Sequence, residues 1–240
     1  MCAYLGTEMG QSQFIQFSEG NIYVKILENV RNKDVYIVQT IGLNPNDEFM
    51  ELLFWIDAFK RASANSVTAI LPFFSYAKGD KKDEPRVSIR ARVCADCLEV
   101  TGVDRIITMD LHSAQIQGFF KKPVDHLYGM NILCRYIQQK NWENFVVVST
   151  DAGFAKIARS YANILDAPVA VGDKIRTGHD EKAKVLGIIG DVKGKNALIV
   201  DDFTISGGTL IDTARVLKQN GAQKIIACIS HCLLNEKGVK

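Results

Sequence analysis

Short runs of β-branched and aliphatic residues punctuate the chain. They are Val35–Val38, Val67–Leu71, Arg105–Thr108, Phe145–Val148, Ala197–Val200 and Ile225–Ile229. Each is nearly continuous rather than alternating, the pattern of strands buried on both faces of a parallel sheet. Between them lie stretches of helical periodicity. Asn46, Asp47 and Glu48 read as a cap and acidic first turn, followed by Phe49, Leu52, Leu53, Ile56 and Phe59 on one face. Ser88–Val100 carries Ile89, Val93, Cys97 and Val100 along one side, and Thr209–Asn220 is stopped by Gly221. This alternation predicts right-handed crossovers and an α/β fold with doubly wound, mainly parallel sheets. It comes in two halves, 1–128 and 129–240, divided near Asp125–Asn131, where Pro123 and Gly129 bracket a short segment.

Composition narrows the class of protein. With 240 residues, 47% hydrophobic and 23% charged, the chain can bury one large core or two small ones. Its 29 basic residues nearly balance 27 acidic ones and form no stripe, which argues against a nucleic-acid partner. Charges interrupt every long apolar stretch, so no membrane span is expected. The start, Met1-Cys2-Ala3-Tyr4-Leu5-Gly6, lacks the basic-then-apolar pattern of a signal peptide. A cytoplasmic protein is the expectation. Cys94 and Cys97 form a C-x-x-C, but it lies inside a helical run with no second Cys/His pair at zinc spacing, so buried structural thiols are expected.

In such sheets ligands collect beyond the carboxyl ends of strands. The corresponding loops hold Phe73–Arg86, Asp110–Gln117, Ser149–Lys156 and Asp201–Thr209, the richest stretches in Asp, His, Lys and small residues. The last is the most informative. Ala197–Val200 ends in Asp201 and Asp202, then Phe203-Thr204-Ile205-Ser206-Gly207-Gly208-Thr209 feeds a helix. Glycines let successive N–H groups point at one anion, and the helix start adds its partial positive charge. Ser206 and Thr209 supply hydroxyl donors, and paired carboxylates suit a vicinal diol or a metal. Phosphate plus diol means a sugar phosphate; an acidic turn before an ordinary helix cap is the bland alternative.

The segment resembles the phosphoribosyl-binding motif of type I phosphoribosyltransferase folds. Further segments resemble the ribose-phosphate diphosphokinase (phosphoribosyl pyrophosphate synthetase) family more specifically. They include Met50–Leu53, Asp57–Ala64, Asp83–Arg86, Met109–His112, Gln115–Phe120, Pro123–Tyr128 and Asp151-Ala152-Gly153 with Lys156, and the similarity runs from about Phe17 to Leu234. The resemblance implies two tandem phosphoribosyltransferase-like units, a nucleotide-side one at 1–128 and a sugar-phosphate one at 129–240. It implies transfer of the diphosphoryl group of Mg-ATP to the 1-hydroxyl of ribose 5-phosphate. It also implies a homo-oligomer, often hexameric, with nucleotide sites shared between subunits. Lys174 and Arg176 match the family's Lys-x-Arg, which heads the polar stretch Thr177–Lys182, with Lys174 the main transition-state stabiliser. Arg176, Asp201, Asp202, Ile205, Ser206, Gly207, Gly208 and Thr209 are implied to hold ribose 5-phosphate. Phe17, Glu19, Gly20, Asn21, Lys78, Gly79, Asp83 and His112 are implied to meet ATP, and His112 and Asp151 to bind Mg2+. His126 is read as structural.

The chain departs from the family pattern in places. Ile205 stands where a third aspartate is common, Asn21 where an acid closes Phe-Ser-x-x-Glu, Lys78-Gly79 where Arg-Gln is usual, and Phe154 where a glycine is usual. Lysine keeps charge at 78 but lacks arginine's planar fork. Relative to that pattern the first strand and the terminal segments of the second unit are expected to be absent. A regulatory subunit that binds sugar phosphate without turnover is the rival reading, and a simple phosphoribosyltransferase a third.

Overall fold

The structure, a computed structural model, describes residues 1–140, 142–176 and 183–239, with the side chains of 174–186 outside the description. The chain forms two compact units, Met1–Leu127 and Tyr128–Lys240.

In the first unit a short helix α1 (Cys2–Leu5) leads into an antiparallel hairpin of β1 (Ser12–Gln16) and β2 (Ile22–Ile26). The main sheet follows: β3 (Asp34–Val38), α2 (Pro45–Arg61), β4 (Ser66–Leu71), α3 (Arg90–Thr101), β5 (Arg105–Met109) and β6 (Val124–Leu127). Its four strands lie in the order β3-β4-β5-β6, all parallel. Helix α2 starts two residues before the expected cap, with Asn44 at its N-cap and Pro45 in the first turn. The Glu48 carboxylate reaches back to accept the Gly42 and Asn44 N–H groups, satisfying donors the helix start leaves open. Phe49, Leu52, Trp55 and Ile56 bury one stripe of α2 against the sheet.

The expected face of α3 is a correction. Its buried residues are Ala91, Cys94, Ala95 and Leu98, whereas Val93 is 53% and Val100 90% exposed. Small side chains let this helix approach the core closely, so bulk alone misidentified the stripe. Cys94 lies in that core, and burial pushes its thiol up to about 12, which keeps it neutral.

The second unit contains α4 (Met130–Gln139), β7 (Phe145–Ser149), α5 (Ala155–Leu165), β8 (Val169–Arg176), β9 (Ala183–Ile189), β10 (Asn196–Thr204), α6 (Gly208–Gln219), β11 (Ile225–Cys232) and α7 (Glu236–Val239). The sheet order is β11-β10-β7-β8-β9, parallel except for β9, which pairs antiparallel with β8. Its central strands, β7 and β10, are buried on both faces. Val147, Leu198 and Val200 pack with Ile137 of α4 and with Tyr161 and Leu165 of α5, while Val146, Val148, Ala197 and Ile199 pack with Leu217 of α6. Helices cover both sides, which explains why these runs are continuously apolar.

Leu198 is 1% exposed at the centre of β10. Leu198→Ala should cost about 2–5 kcal/mol through lost transfer energy and a cavity, read as a lowered midpoint in urea unfolding. A loss under about 1 kcal/mol would show that the strand is not held from both faces.

Candidate active site

Strand order in the second unit reverses at β7. The chain runs outward through β8 and β9 on one side, then returns to place β10 on the other. Such a switch point leaves a crevice beyond the carboxyl ends of the two central strands, because their connections depart in opposite directions. β7 ends at Ser149, the turn after it carries Thr150 and Asp151, and β10 carries Asp201 and Asp202 just past its last pairing with β7 at Val200.

These groups are tied together. Thr150 Oγ1 donates to Asp201 Oδ2 at 2.7 Å, and the Asp202 N–H donates to Asp201 Oδ1 at 3.0 Å. Asp202, 9% exposed, accepts the Phe203 N–H at 2.9 Å. Ser149 Oγ donates to the Asp151 carbonyl at 2.6 Å, and Asp151 Oδ1 accepts the Phe154 N–H at 3.2 Å. Two neighbouring acids in a partly dry place resist double ionisation. Burial first, then the charge of Asp202, push the Asp201 carboxyl up to about 7.

Beyond the acids the chain turns at Gly207, whose φ of +72° is the left-handed conformation that side chains disfavour, and enters α6. Gly207, the N-cap of α6, has no side chain to bond the first-turn N–H groups. Ser206 Oγ lies 3.4 Å from the Gly208 nitrogen, at the long end of a hydrogen bond. Ile205, Ser206, Gly207, Gly208 and Thr209 thus form one small-residue turn beside the acid pair. Ile205 contributes through its backbone: its carbonyl accepts the Asn235 N–H at 3.0 Å, as the Thr204 carbonyl accepts that of Leu233 at 2.9 Å. A side chain at Gly238 would sit 2.6 Å from the Ile205 oxygen, so α7 packs against the back of this turn.

Two contributors escaped the sequence reading. Thr150 donates to Asp201, and Gly172 of β8 lets that strand pass the turn, since a Cβ there would meet the Thr150 carbonyl at 2.5 Å. A glycine inside an apolar strand pattern is the signal that identifies such a close approach. The Lys174 and Arg176 backbones belong to β8, with a register shift between Asp173 and Lys174. Their side chains, and the whole of Thr177–Lys182, lie outside the described residues.

In the first unit the candidates divide between two sheets. Lys78 and Gly79 end a turn of 3-10 helix, Ser75–Lys78, beyond the carboxyl end of β4. His112 is exposed beyond the carboxyl end of the adjacent β5, and Asp83 is exposed in the loop that leads to α3. Asp110, two residues before His112, has a left-handed φ of +43°, and the Leu111 N–H donates to His126 Nε2 at 2.9 Å. Accepting there requires an unprotonated nitrogen, and burial lowers the His126 pKa in agreement. Phe17, Glu19, Gly20 and Asn21 instead form the exposed tip of the β1–β2 hairpin. That tip is closed by Phe17 N–H to Asn21 carbonyl at 2.8 Å and Gly20 N–H to Phe17 carbonyl at 2.9 Å.

A metal can be tested against these donors. Among the described residues no three His, Cys, Asp or Glu side chains converge on one point. Mg2+ does not need such a cage, since it is commonly held by one or two carboxylates plus substrate phosphates. Asp151 fits that role; the His112 imidazole is a softer donor that fits the nucleotide side better.

Two parallel-sheet units, one with a glycine turn and acid pair at a switch point, define a nucleotide- and sugar-phosphate-handling α/β protein. Residues 1–102 match the N-terminal domain of ribose phosphate pyrophosphokinase, and 129–239 match the phosphoribosyl transferase domain. The chain is 44% identical over 236 residues to a ribose-phosphate pyrophosphokinase of Parasynechococcus marenigrum, covering 98% of this chain and 71% of that protein. It is also 44% identical to that of Campylobacter jejuni, covering 98% and 75%. The crystal structure of phosphoribosylpyrophosphate synthetase from Mycobacterium smegmatis superposes with a TM-score of 0.91 at 36% identity, covering 99% of this chain and 78% of that one. The chain belongs to the ribose-phosphate pyrophosphokinase family.

The raised Asp201 pKa has a direct consequence. A carboxyl that stays protonated in the fold while its unfolded counterpart ionises near 3.8 contributes stability that is fully present below that value. The contribution is lost as pH rises through about 7. The urea midpoint of the free protein should therefore fall between about pH 4 and about pH 7, and Asp201→Asn should flatten that fall. An unchanged slope in the variant would assign the effect to another group.

Proposed function

We propose that this chain carries out its family's reaction with ribose 5-phosphate held at Asp201–Thr209 and ATP met by the first unit. The 1-hydroxyl of the sugar attacks the β-phosphorus of ATP, the bond to the α-phosphate oxygen breaks, AMP leaves, and phosphoribosyl pyrophosphate forms. No covalent enzyme intermediate is needed, so catalysis rests on alignment and on neutralising phosphate charge. One observation carries the sugar-phosphate assignment: the uncapped start of α6 at Gly207 lies in the same turn as the Asp201–Asp202 pair. The amides and hydroxyls of Ser206–Thr209 suit the 5-phosphate, and the acids suit the 2- and 3-hydroxyls. With Asp201 in reach of both Thr150 and the diol, sugar hydroxyls would take over part of the hydrogen bonding that now satisfies it.

In this reading Lys174 stabilises the charge that develops on the transferred group and Arg176 assists at the sugar phosphate. Lys78, Gly79, Asp83 and His112 meet the nucleotide beyond β4 and β5. Mg2+, when bound, would draw charge from the phosphate oxygens, with Asp151 as the carboxylate that suits it and His112 serving on the nucleotide side. Phe17, Glu19, Gly20 and Asn21 sit on a separate hairpin with exposed Phe17, which supports their serving a neighbouring subunit's nucleotide in a homo-oligomer. No helix among the described residues is long and apolar enough to cross a membrane.

Incubation of the purified chain with Mg-ATP and ribose 5-phosphate, followed by phosphorus NMR, should show AMP and phosphoribosyl pyrophosphate accumulating together. Retained sugar-phosphate binding with no turnover would instead favour the regulatory reading. Lys174→Ala should lower kcat at least about 100-fold while ribose 5-phosphate affinity changes little. Equal losses in both would move Lys174 from transition-state stabilisation to ground-state binding.

A further inference from the structure

The turn that carries Lys78 is built around a missing side chain. Gly79 is buried, with φ −98° and ψ 50°, angles that do not demand glycine. The space beside it is nevertheless occupied. A Cβ on Gly79 would lie 2.6 Å from Arg90 Nε, 3.0 Å from Arg90 Cβ and 3.3 Å from Arg90 Cζ. The side chain of Arg90, first residue of α3, is therefore laid across the glycine along its length. Two backbone bonds hold this arrangement. The Gly79 N–H donates to the Tyr76 carbonyl at 2.9 Å, and the Gly79 carbonyl accepts the N–H of Ala91, the residue after Arg90, at 3.1 Å.

Among the described residues no hydrogen-bonding or ionic partner explains the position of the Arg90 side chain. Its neighbour Arg92 illustrates the alternative, pairing with Asp96 at 2.5 Å one turn along the helix and with the Phe119 carbonyl at 2.8 Å. Arg90 has Val93 and Cys94 at the corresponding positions, so α3 offers it no acid. Arg90 is exposed, so a guanidinium that is packed along its stem and fixed at its root keeps its donors open to an anion from solvent.

We propose that Arg90 binds the polyphosphate of the nucleotide, supplying beside Lys78 the planar donor fork that lysine lacks. Gly79 is then a specificity device by omission: its absent side chain is what admits Arg90 to the turn. The inference rests on the reading of Lys78 and Gly79 as nucleotide contacts and extends it to a residue eleven positions along the chain. It also gives the Lys78-Gly79 pair a physical rationale, because the lost fork and the lost bulk compensate each other through Arg90.

The test is the calorimetric dissociation constant of Mg-ATP for the full chain, with that of ribose 5-phosphate as an internal control. Arg90→Ala should weaken Mg-ATP about tenfold, leaving ribose 5-phosphate within about twofold. Arg90→Lys, which keeps charge without the fork, should fall between wild type and Arg90→Ala. Gly79→Ala is the sharper variant, since its backbone accepts alanine and the methyl displaces only the Arg90 side chain. It should weaken Mg-ATP by itself and add nothing in the Arg90→Ala background. If Lys78→Ala weakens Mg-ATP but Arg90→Ala does not, the inference fails while the nucleotide reading stands. If neither changes it, or the wild type does not bind Mg-ATP, both fail together. Equal weakening of both ligands by Arg90→Ala would make its role structural and overturn the proposal.

Discussion

Two adjacent carboxylates at the end of a central strand are an electrostatic burden, and the second unit is organised around bearing it. Asp201 and Asp202 follow four residues that are almost wholly inaccessible to solvent, Ala197 to Val200. Neither acid can be moved outward without pulling that run from between its two helix layers. The Thr150 hydroxyl and the Asp202 amide donate to Asp201 and favour its ionised form, but burial and the charge of Asp202 outweigh them and hold its proton to about pH 7. A buried acid pair of which one member resists ionisation is suited to a ligand that offers hydroxyl donors or a cation.

The same strand end determines where phosphate can go. Gly207 turns the chain into α6 as an N-cap without a side chain, and a helix start of that kind suits an anion. The acids and the amides are thus set a few residues apart by one local geometry, with the back of the turn braced by Leu233, Asn235 and Gly238. In the first unit the equivalent strand ends of β4 and β5 carry cationic and imidazole groups instead. One architectural rule, ligands beyond the carboxyl ends of parallel strands, therefore serves both units with different side chains.

Much of this was legible in the residues. The runs that became β3, β4, β5, β7, β10 and β11 leave a nearly unbroken apolar signature, strongest in β7 and β10, which helices cover on both faces, while β3 leaves Tyr36 and Val38 exposed. The glycine turn was equally plain, since strand, acids, small residues and helix follow one another without a gap. The hairpin of β1 and β2 was not, because its short strands are half-exposed and carry no apolar run. The buried face of α3 was misjudged because alanine and cysteine weigh little in a hydrophobic pattern yet pack tightly. The pairings of Thr150 with Asp201, of Gly172 with Thr150 and of Arg90 with Gly79 were not legible, because the partners are apart in sequence and only the fold brings them together.

The central claim is that the turn from Ser206 to Thr209 holds the phosphate of ribose 5-phosphate while Asp201 and Asp202 hold its ring hydroxyls. A crystal of the chain grown with that sugar phosphate tests it most directly. The account predicts density for the phosphate within hydrogen-bonding distance of the amides at the start of α6, with the diol against the two acids. Density for the sugar phosphate at any other strand end, with this turn left to solvent, would contradict it.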